Sequence, residues 1–428
     1  MEQRGASRFE LDLTDRQRSA LLLYARNARA VWNWALAARK ADYEERIKPA
    51  RERGEKVRGL GWIDQQNAWL TVRAELFPHW AEVSAHVAIY AVRDLDKAYK
   101  AWWKGLKTQR RCGPPRFHRR GEHESFRLRG ALAVRTTASG RHWVGLPRIG
   151  WLRLKGDDTE RLAGATIQEA TITEQAGRWF VSLSWKRTVT EPVPVVGPVI
   201  GIDLGLAHSL TLSDGRVIES PRPLRRRLRR LRRLDRAIAR QRTAAKASGR
   251  AKSNRCKKRE LRRARLHREV ANTRSNWLHE TTTHLAATAS KIGIEDLNLS
   301  GLMGRKRHLG RAFADLGAAE LRRQLEYKTA KFGSTLVIAD RFYPSSRLCS
   351  RCGTKKGDLT LSDRTYRCAS CGLVIDRDLN AARNLRSVAA MAAETLNARG
   401  GVVRPGRDAG QTPLNREPGL GRVAHDAT

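Results

Sequence analysis

Apolar and polar positions alternate over residues 7–13, Ser-Arg-Phe-Glu-Leu-Asp-Leu, and the period then lengthens. The alternation predicts one strand. Thr14-Asp15 caps the helix that follows, and Leu21, Leu22, Tyr24, Ala28, Val31, Trp32 and Leu36 give it a broad apolar face. Two more helical stretches are expected over residues 63–77 and 81–103, with Pro78 as the break. Residues 15–105 thus read as a small helical bundle. Its tryptophans are most simply core, with stacking on bases as the alternative. Alternation returns over 125–135, 141–146, 151–155, 165–173 and 178–185, with Gly130, Gly140, Gly145, Gly150 and Gly177 at the turns. Together with the first strand these predict a small β-barrel, the helical bundle inserted after its first strand.

Residues 191–198, Glu-Pro-Val-Pro-Val-Val-Gly-Pro, read as a linker. After them the pattern becomes α/β. Val199-Ile-Gly-Ile-Asp203 is an apolar strand ending on a carboxylate, 209–212 pairs with it across a turn, and Asp214-Gly215 is a hairpin signal. A second buried strand ends at Glu295, 301–317 is a Gly/Arg loop, 318–331 a helix, and 334–339 a third apolar strand. A last helix runs to about residue 396, and the Gly/Pro/Arg-rich tail after it is expected to be disordered.

Charge changes this picture. The 428-residue chain has 84 Lys and Arg against 43 Asp and Glu, a formal net charge of +41. So large an excess works against compaction unless a polyanion binds, and nucleic acid is the partner it points to. A membrane surface is the alternative, but the chain lacks the run of about 18 apolar residues that spans one. In residues 222–268, Leu224, Leu228, Leu231, Leu234 and Ile238 recur every three or four positions among arginines. That predicts a long helix with a thin apolar seam, and a second basic helix from 253 to 285 running back. Arg225, Arg226, Arg229, Arg230 and Arg233 are candidate nucleic-acid contacts on the first, against the alternative of a solvated face. Arg116, Arg119 and Arg120, in a Pro-broken basic loop over 107–120, are candidates for phosphate contact.

The chemistry concentrates near the C-terminus. Cys349-Ser-Arg-Cys352 and Cys368-Ala-Ser-Cys371 are two C-x-x-C pairs fifteen residues apart. Two such pairs close a tetrahedron of thiolates, the geometry of structural Zn2+, and Gly353 and Gly372 suit the turns. Two disulfides are the alternative. With six cysteines and no charged-then-apolar leader, an oxidising compartment is not expected. Cys112 and Cys256 read as incidental. Asp203, Glu295 and Asp378 lie far apart in sequence, two at the ends of apolar strands and one at the start of a helix. Meeting at one point, three such acids hold two hard divalent cations that cut a phosphodiester. Singly, each has a plainer role: Asp203 as a turn residue, Glu295 and Asp296 facing solvent, Asp378 as a helix cap.

Gly-Ile-Asp-Leu-Gly around Asp203, Ile-Glu-Asp-Leu-Asn around Glu295, Phe-Tyr-Pro-Ser-Ser-Arg-Leu-Cys-Ser-Arg-Cys-Gly (342–353) and Asp-Arg-Asp-Leu-Asn-Ala-Ala-Arg-Asn-Leu (376–385) resemble the TnpB family, transposon-encoded RNA-guided DNA endonucleases related to type V CRISPR effectors. Val-Trp-Asn-Trp (31–34), Pro-Arg-Phe (115–117) and Ser-Phe-Arg-Leu (125–128) are similar but less specific. The resemblance implies a multidomain α+β chain: a RuvC-like nuclease domain of RNase H fold interrupted by a zinc ribbon, preceded by a wedge barrel with an inserted recognition bundle. The implied division is 1–14 first wedge strand, 15–120 recognition helices, 121–190 wedge barrel, 191–198 linker, 199–340 first nuclease part, 341–375 ribbon, 376–397 last nuclease segment and 398–428 tail. It implies Asp203, Glu295 and Asp378 as the catalytic acids, with Asp376 as the choice if the register is one turn off. It also implies Mg2+ as the working ion, one structural Zn2+, a guide RNA and a double-stranded DNA target read beside a short motif. A prokaryotic cytoplasmic, nucleoid-associated location is expected, and monomer and dimer both stay open. The competing readings are a small type V CRISPR effector, a non-cleaving RNA-guided repressor and a basic zinc-ribbon RNA binder without chemistry.

Overall fold

The computed structural model describes residues 2–77, 79–108, 113–121, 124–156, 158–205, 208–298, 310–360 and 363–392. The expected disordered tail, the end of the last helix beyond residue 392 and the first part of the Gly/Arg loop lie outside them. The chain divides into two units, Met1–Thr190 and Glu191–Thr428.

In the first unit, β1 (Glu2–Asp12) leads into helix α1 (Asp15–Asp42). Thr14 accepts from the Gln17 N–H, and the Gln17 side chain accepts from the Thr14 N–H, so two otherwise orphaned donors are satisfied. Helices α2 (Trp62–Leu76) and α3 (Ala85–Lys107) follow. Val31, Leu36, Trp69, Val92 and Leu95 form their common core. Trp32, Trp34, Trp62 and Trp80 pack partly buried against it, while Trp103 is exposed. The chain then returns to add β2 (Ser125–Arg129), β3 (Ala133–Thr136), β4 (His142–Leu146), β5 (Gly150–Lys155), β6 (Thr166–Gln175) and β7 (Arg178–Thr188). Their order is β2-β6-β7-β1-β5-β4-β3, with the first strand central.

The expected strand over 125–135 is thus two strands, split where Gly130 turns the chain at φ 110°. They lie on opposite edges of the sheet yet are joined by residues 130–132 alone. Four residue steps reach at most about 14 Å, so the sheet curls until its edges approach. Among the described residues no ladder joins those edges. Phe9, Leu128, Val144, Leu152, Ile172 and Leu183 fill the concave side with Leu21 and Tyr24 of α1.

The second unit is built on a mixed sheet ordered β10-β9-β8-β11-β12. Its strands are β8 (Val199–Asp203), β9 (Leu210–Leu212), β10 (Val217–Ile218), β11 (Lys291–Glu295) and β12 (Thr335–Ala339). β8, β11 and β12 are parallel, and β9 and β10 fold back as the expected hairpin. Parallel neighbours need crossover connections. Between β8 and β11 run α4 (Pro223–Ala247) and α5 (Asn254–Thr288); between β11 and β12 run α6 (Gly310–Leu316) and α7 (Ala318–Phe332). Residues 310–316, expected as loop, are helical, because Phe313 and Leu316 have a small apolar cluster to bury into. The side chain of Asp315 there accepts from the N–H groups of Leu224 and Arg225 at 2.9 Å each, capping α4 from outside. The expected linker is hydrogen-bonded to its own unit: Val195 donates to the Gly333 carbonyl, and Ser290 donates to those of Gly197 and Pro198.

The final helix, α8 (Arg377–Met391), lies across β8 and β11. Gly201 and Gly293 are register partners on these strands. A Cβ at Gly201 would fall 1.9 Å from the Ala382 carbonyl oxygen, and one at Gly293 2.3 Å from that of Leu385. Backbone meets backbone here, so neither position admits a side chain. Gly201→Ala or Gly293→Ala is expected to lower stability by on the order of 3 kcal/mol through overpacking. Thermal melting should show the drop.

Candidate active site

Three chain segments converge at the carboxyl end of the central strands. Ile202 and Ile294 are register partners, so Asp203 and Glu295, one residue on, end neighbouring parallel strands side by side. Asp378 comes from the first turn of α8 and is buried. Its Oδ2 faces the backbone at Gly205, where an added Cβ would sit 3.4 Å away. The sequence left open whether Asp378 caps the helix and whether Asp376 is the functional acid. Asp376 is the cap: its Oδ1 accepts from the Asp378 and Leu379 N–H groups at 2.9 and 3.0 Å. Asp378 is thereby left to point inward. Arg377 approaches it at 3.6 Å.

Asp203 responds to this company. Burial first, then the Glu295 and Asp378 carboxylates, push its carboxyl well above the usual range, with Arg377 opposing. Burial also raises Glu295, against the Ser345 hydroxyl that donates to its Oε1. Acidic groups so placed repel one another unless a cation lies among them, which is the behaviour of a hard-cation site. Asp296, next in line, faces away from solvent into Arg322 and Arg341, the latter at 3.0 Å, and so takes no part.

The four cysteines form a tighter cluster. Their sulfurs lie within 4.8 Å of one another, the one such ligand set among the described residues. Cys349 to Cys371 is 3.5 Å and Cys352 to Cys368 is 3.6 Å. Tetrahedral thiolates at the usual Zn–S distance sit about 3.8 Å apart, so the set fits a zinc ion. It contains no disulfide. Gly353 and Gly372 close the two turns with φ of 75° and 71°, their N–H groups bonded to the Cys349 and Cys368 carbonyls. The strands β13 (Thr365–Arg367) and β14 (Val374–Asp376) carry the second pair, and β14 runs straight into α8.

Sequence reasoning missed how the ribbon is seated. Asn380 and Asn384 lie one turn apart on α8 and face the ribbon's entry segment. Asn380 accepts from the Ser350 N–H and donates to the Leu348 carbonyl, and Asn384 donates to the carbonyls of Ser345 and Leu348 at 2.7 and 2.8 Å. The i, i+4 spacing of two asparagines in an otherwise Ala- and Leu-rich turn was the available signal.

The basic candidates are where cations can meet a polyanion. Arg225, Arg226, Arg229, Arg230 and Arg233 are all exposed along α4, whose Leu231 and Ile238 are buried. Arg227 pairs with Glu269, and Arg242 with Glu260, across to α5. Two cavities of about 330 and 640 Å³ open along the start of α4, both lined by Arg222 and Arg225, and the smaller one reaches Gly205. In the first unit Arg116, Arg119 and Arg120 are exposed on a loop held by α1. The Trp32 indole donates to the Arg116 carbonyl, Asn33 both donates to and accepts from the His118 backbone, and the His118 ring stacks on Trp32 at 4.3 Å. No helix among the described residues is long and apolar enough to cross a membrane.

A carboxyl raised on folding binds its proton more tightly in the native state than in the unfolded chain. Its favourable contribution is full below the ordinary aspartate range, near 3.9, and is lost as pH rises through the elevated native value. In chelator, the protein is therefore expected to melt at lower temperature at about pH 8 than at about pH 5. Asp203→Asn should remove much of that difference, and melts of both proteins across this range check it.

The chain matches three family models. A model described as Cas12f1-like, TNB domain matches residues 319–385, one described as "Probable transposase" matches 182–306, and a "Helix-turn-helix domain" model matches 1–48. Over that last range the structure has one strand and one long helix, followed by a π-helical turn. A Streptomyces pristinaespiralis protein named "Putative RNA-guided DNA endonuclease" is 40% identical over 60% of this chain and 61% of its own length. A Mycobacterium tuberculosis protein of the same description is 31% identical over 89% of this chain and 85% of its own, and Escherichia coli InsQ is 29% identical over 98% of both. Among solved structures, a Cas12f1-sgRNA-target DNA complex aligns at TM-score 0.50 and 15% identity over 86% of this chain and 82% of that one. The mini-RNA-guided endonuclease CRISPR-Cas_phi3 aligns at 0.50 and 10% over 92% and 93%. The fold is thus that of the RuvC-type miniature effectors, and the chain belongs to the TnpB family of RNA-guided DNA endonucleases.

Proposed function

We propose that this chain uses a guide RNA to select double-stranded DNA and cuts it by divalent-metal-dependent phosphodiester hydrolysis at Asp203, Glu295 and Asp378. The observation that carries this reading is the meeting of those three carboxylates beyond the ends of β8 and β11, where burial first and then the other two acids push Asp203 up. Asp203, Glu295 and Asp378 would hold Mg2+, which would supply the Lewis acidity for attack of water on a phosphodiester. The chain's own part is placement. The two strands fix Asp203 and Glu295, Asp376 fixes the first turn that presents Asp378, and the arginines of α4 hold phosphates along the approach. Four thiolates hold one Zn2+ away from the chemistry, and the Asn380 and Asn384 bonds seat that ribbon on the active-site helix. The curled sheet and inserted helices of the first unit fit the wedge and recognition roles, with Arg116, Arg119 and Arg120 on RNA or DNA backbone.

A small type V effector is the second reading, favoured by the Cas12f1-like match over residues 319–385 and the Cas12f1 fold likeness. The RNA that co-purifies separates the two, since its fixed part comes from a transposon end in one case and a repeat array in the other. With that RNA and a matching target, the protein is expected to cut DNA in Mg2+. Asp203→Ala should lose cutting by a factor of at least about a thousand while still binding target. Cutting that survives in Asp203→Ala removes this site from the mechanism. Reversing charge at Arg225, Arg226 and Arg229 together should flatten the dependence of RNA affinity on salt by roughly one unit of slope per lost phosphate contact. Metal analysis should find one zinc per chain, and Cys349→Ser should lose it.

A further inference from the structure

Ser345 stands at the entrance to the ribbon and is buried. Its hydroxyl donates to Oε1 of Glu295, at the end of β11. Its carbonyl accepts from Asn384 Nδ2 on α8 at 2.7 Å. Its N–H donates to the Tyr343 carbonyl at 2.9 Å, and Arg347 and Leu348 donate to Pro344, so the segment is a fixed turn. Upstream, Arg341 reaches Asp296, the neighbour of Glu295, at 3.0 Å. Downstream, Asn380 and Asn384 clasp Leu348 and Ser350, immediately beside Cys349. Residues 341–350 therefore form a strap. One end is tied to the strand that bears Glu295, the other to the helix that bears Asp378, and Ser345 touches both.

We propose that Ser345 is a positioning residue that holds the Glu295 carboxylate for a divalent cation and ties its placement to the seating of the cysteine ribbon. This rests on the reading of Asp203, Glu295 and Asp378 as cation ligands. A glutamate side chain at a strand end has several free torsions, and a cation site tolerates errors of only about 0.5 Å. One hydroxyl proton fixes Oε1 and leaves Oε2 and the remaining lone pairs for the ion. A hydroxyl suits the task because it adds no charge to a site already rich in carboxylates. Partners that orient a ligand in this way typically change metal affinity or activity about 10- to 100-fold when removed.

The test uses the full-length protein with its co-purified RNA, as wild type, Ser345→Ala, Ser345→Thr and Asp203→Ala. Three quantities are read: the Mg2+ concentration for half-maximal cleavage, target-DNA binding in chelator, and the rise in melting temperature on adding Mn2+, with Asp203→Ala giving the background from RNA. Ser345→Ala is expected to raise the Mg2+ half-maximum about tenfold and to shrink the Mn2+-dependent rise, with zinc content and DNA binding kept. Ser345→Thr, which keeps the hydroxyl, should restore both. Wild-type cleavage with Ser345→Ala unchanged in Mg2+ dependence overturns the proposal and leaves the nuclease reading intact. Equal losses in the Ala and Thr variants, with lowered melting in both, also overturn it in favour of packing alone. A wild type that does not cut, yet shows an Mn2+ rise dependent on both Asp203 and Ser345, removes the nuclease reading and supports the positioning role. A wild type with neither response overturns both.

Discussion

Everything in the second unit depends on a backbone-to-backbone approach. Helix α8 rests on β8 and β11 at Gly201 and Gly293, closer than any side chain would allow. Two glycines in strand interiors weaken the strands by themselves, since they add entropy to the unfolded chain and contribute nothing to packing. The contact they permit offsets that loss, because it sets the height of α8 above the sheet and so the position of Asp378 relative to Asp203 and Glu295. The Asp376 cap then fixes the direction in which the first turn of α8 points. Strand register supplies two acids, and helix height and capping supply the third.

The ribbon is attached to the same helix from the other side. Its second cysteine pair leads through β14 into α8 without a break, and its entry segment is clasped by two asparagines of that helix. The four-cysteine cluster is thus built into the frame of the candidate site. The amides pair with carbonyls that burial would otherwise leave unsatisfied, which is a stronger constraint than the modest net worth of each bond. A free-standing ribbon on a flexible tether would leave both ends of the strap loose.

Much of this was legible in the sequence because the signals were local. The Leu224-to-Ile238 seam, the strand ending at Asp203, the Thr14 cap and the spacing of the four cysteines each depend on a few neighbouring residues. The misreadings have longer-range causes. Residues 125–135 alternate throughout, yet Gly130 breaks them into strands on opposite edges of a curled sheet, a decision made by closure rather than by period. Residues 310–316 read as loop because a seven-residue helix has little pattern of its own and is fixed by the cluster it joins. The meeting of Asp203 and Glu295 follows from the alignment of Gly201 with Gly293, which no window on the sequence contains. Asn380, Asn384 and Ser345 escaped for the same reason, since their partners lie between 30 and 50 residues away.

The hairpin of α4 and α5 has one more implication. It is held by a thin seam and a few ion pairs, while most of its arginines are exposed. Such a surface takes up any polyanion by releasing counterions, whatever the sequence. Its grip is therefore set by ionic strength, and selectivity among nucleic acids has to come from contacts that read more than charge.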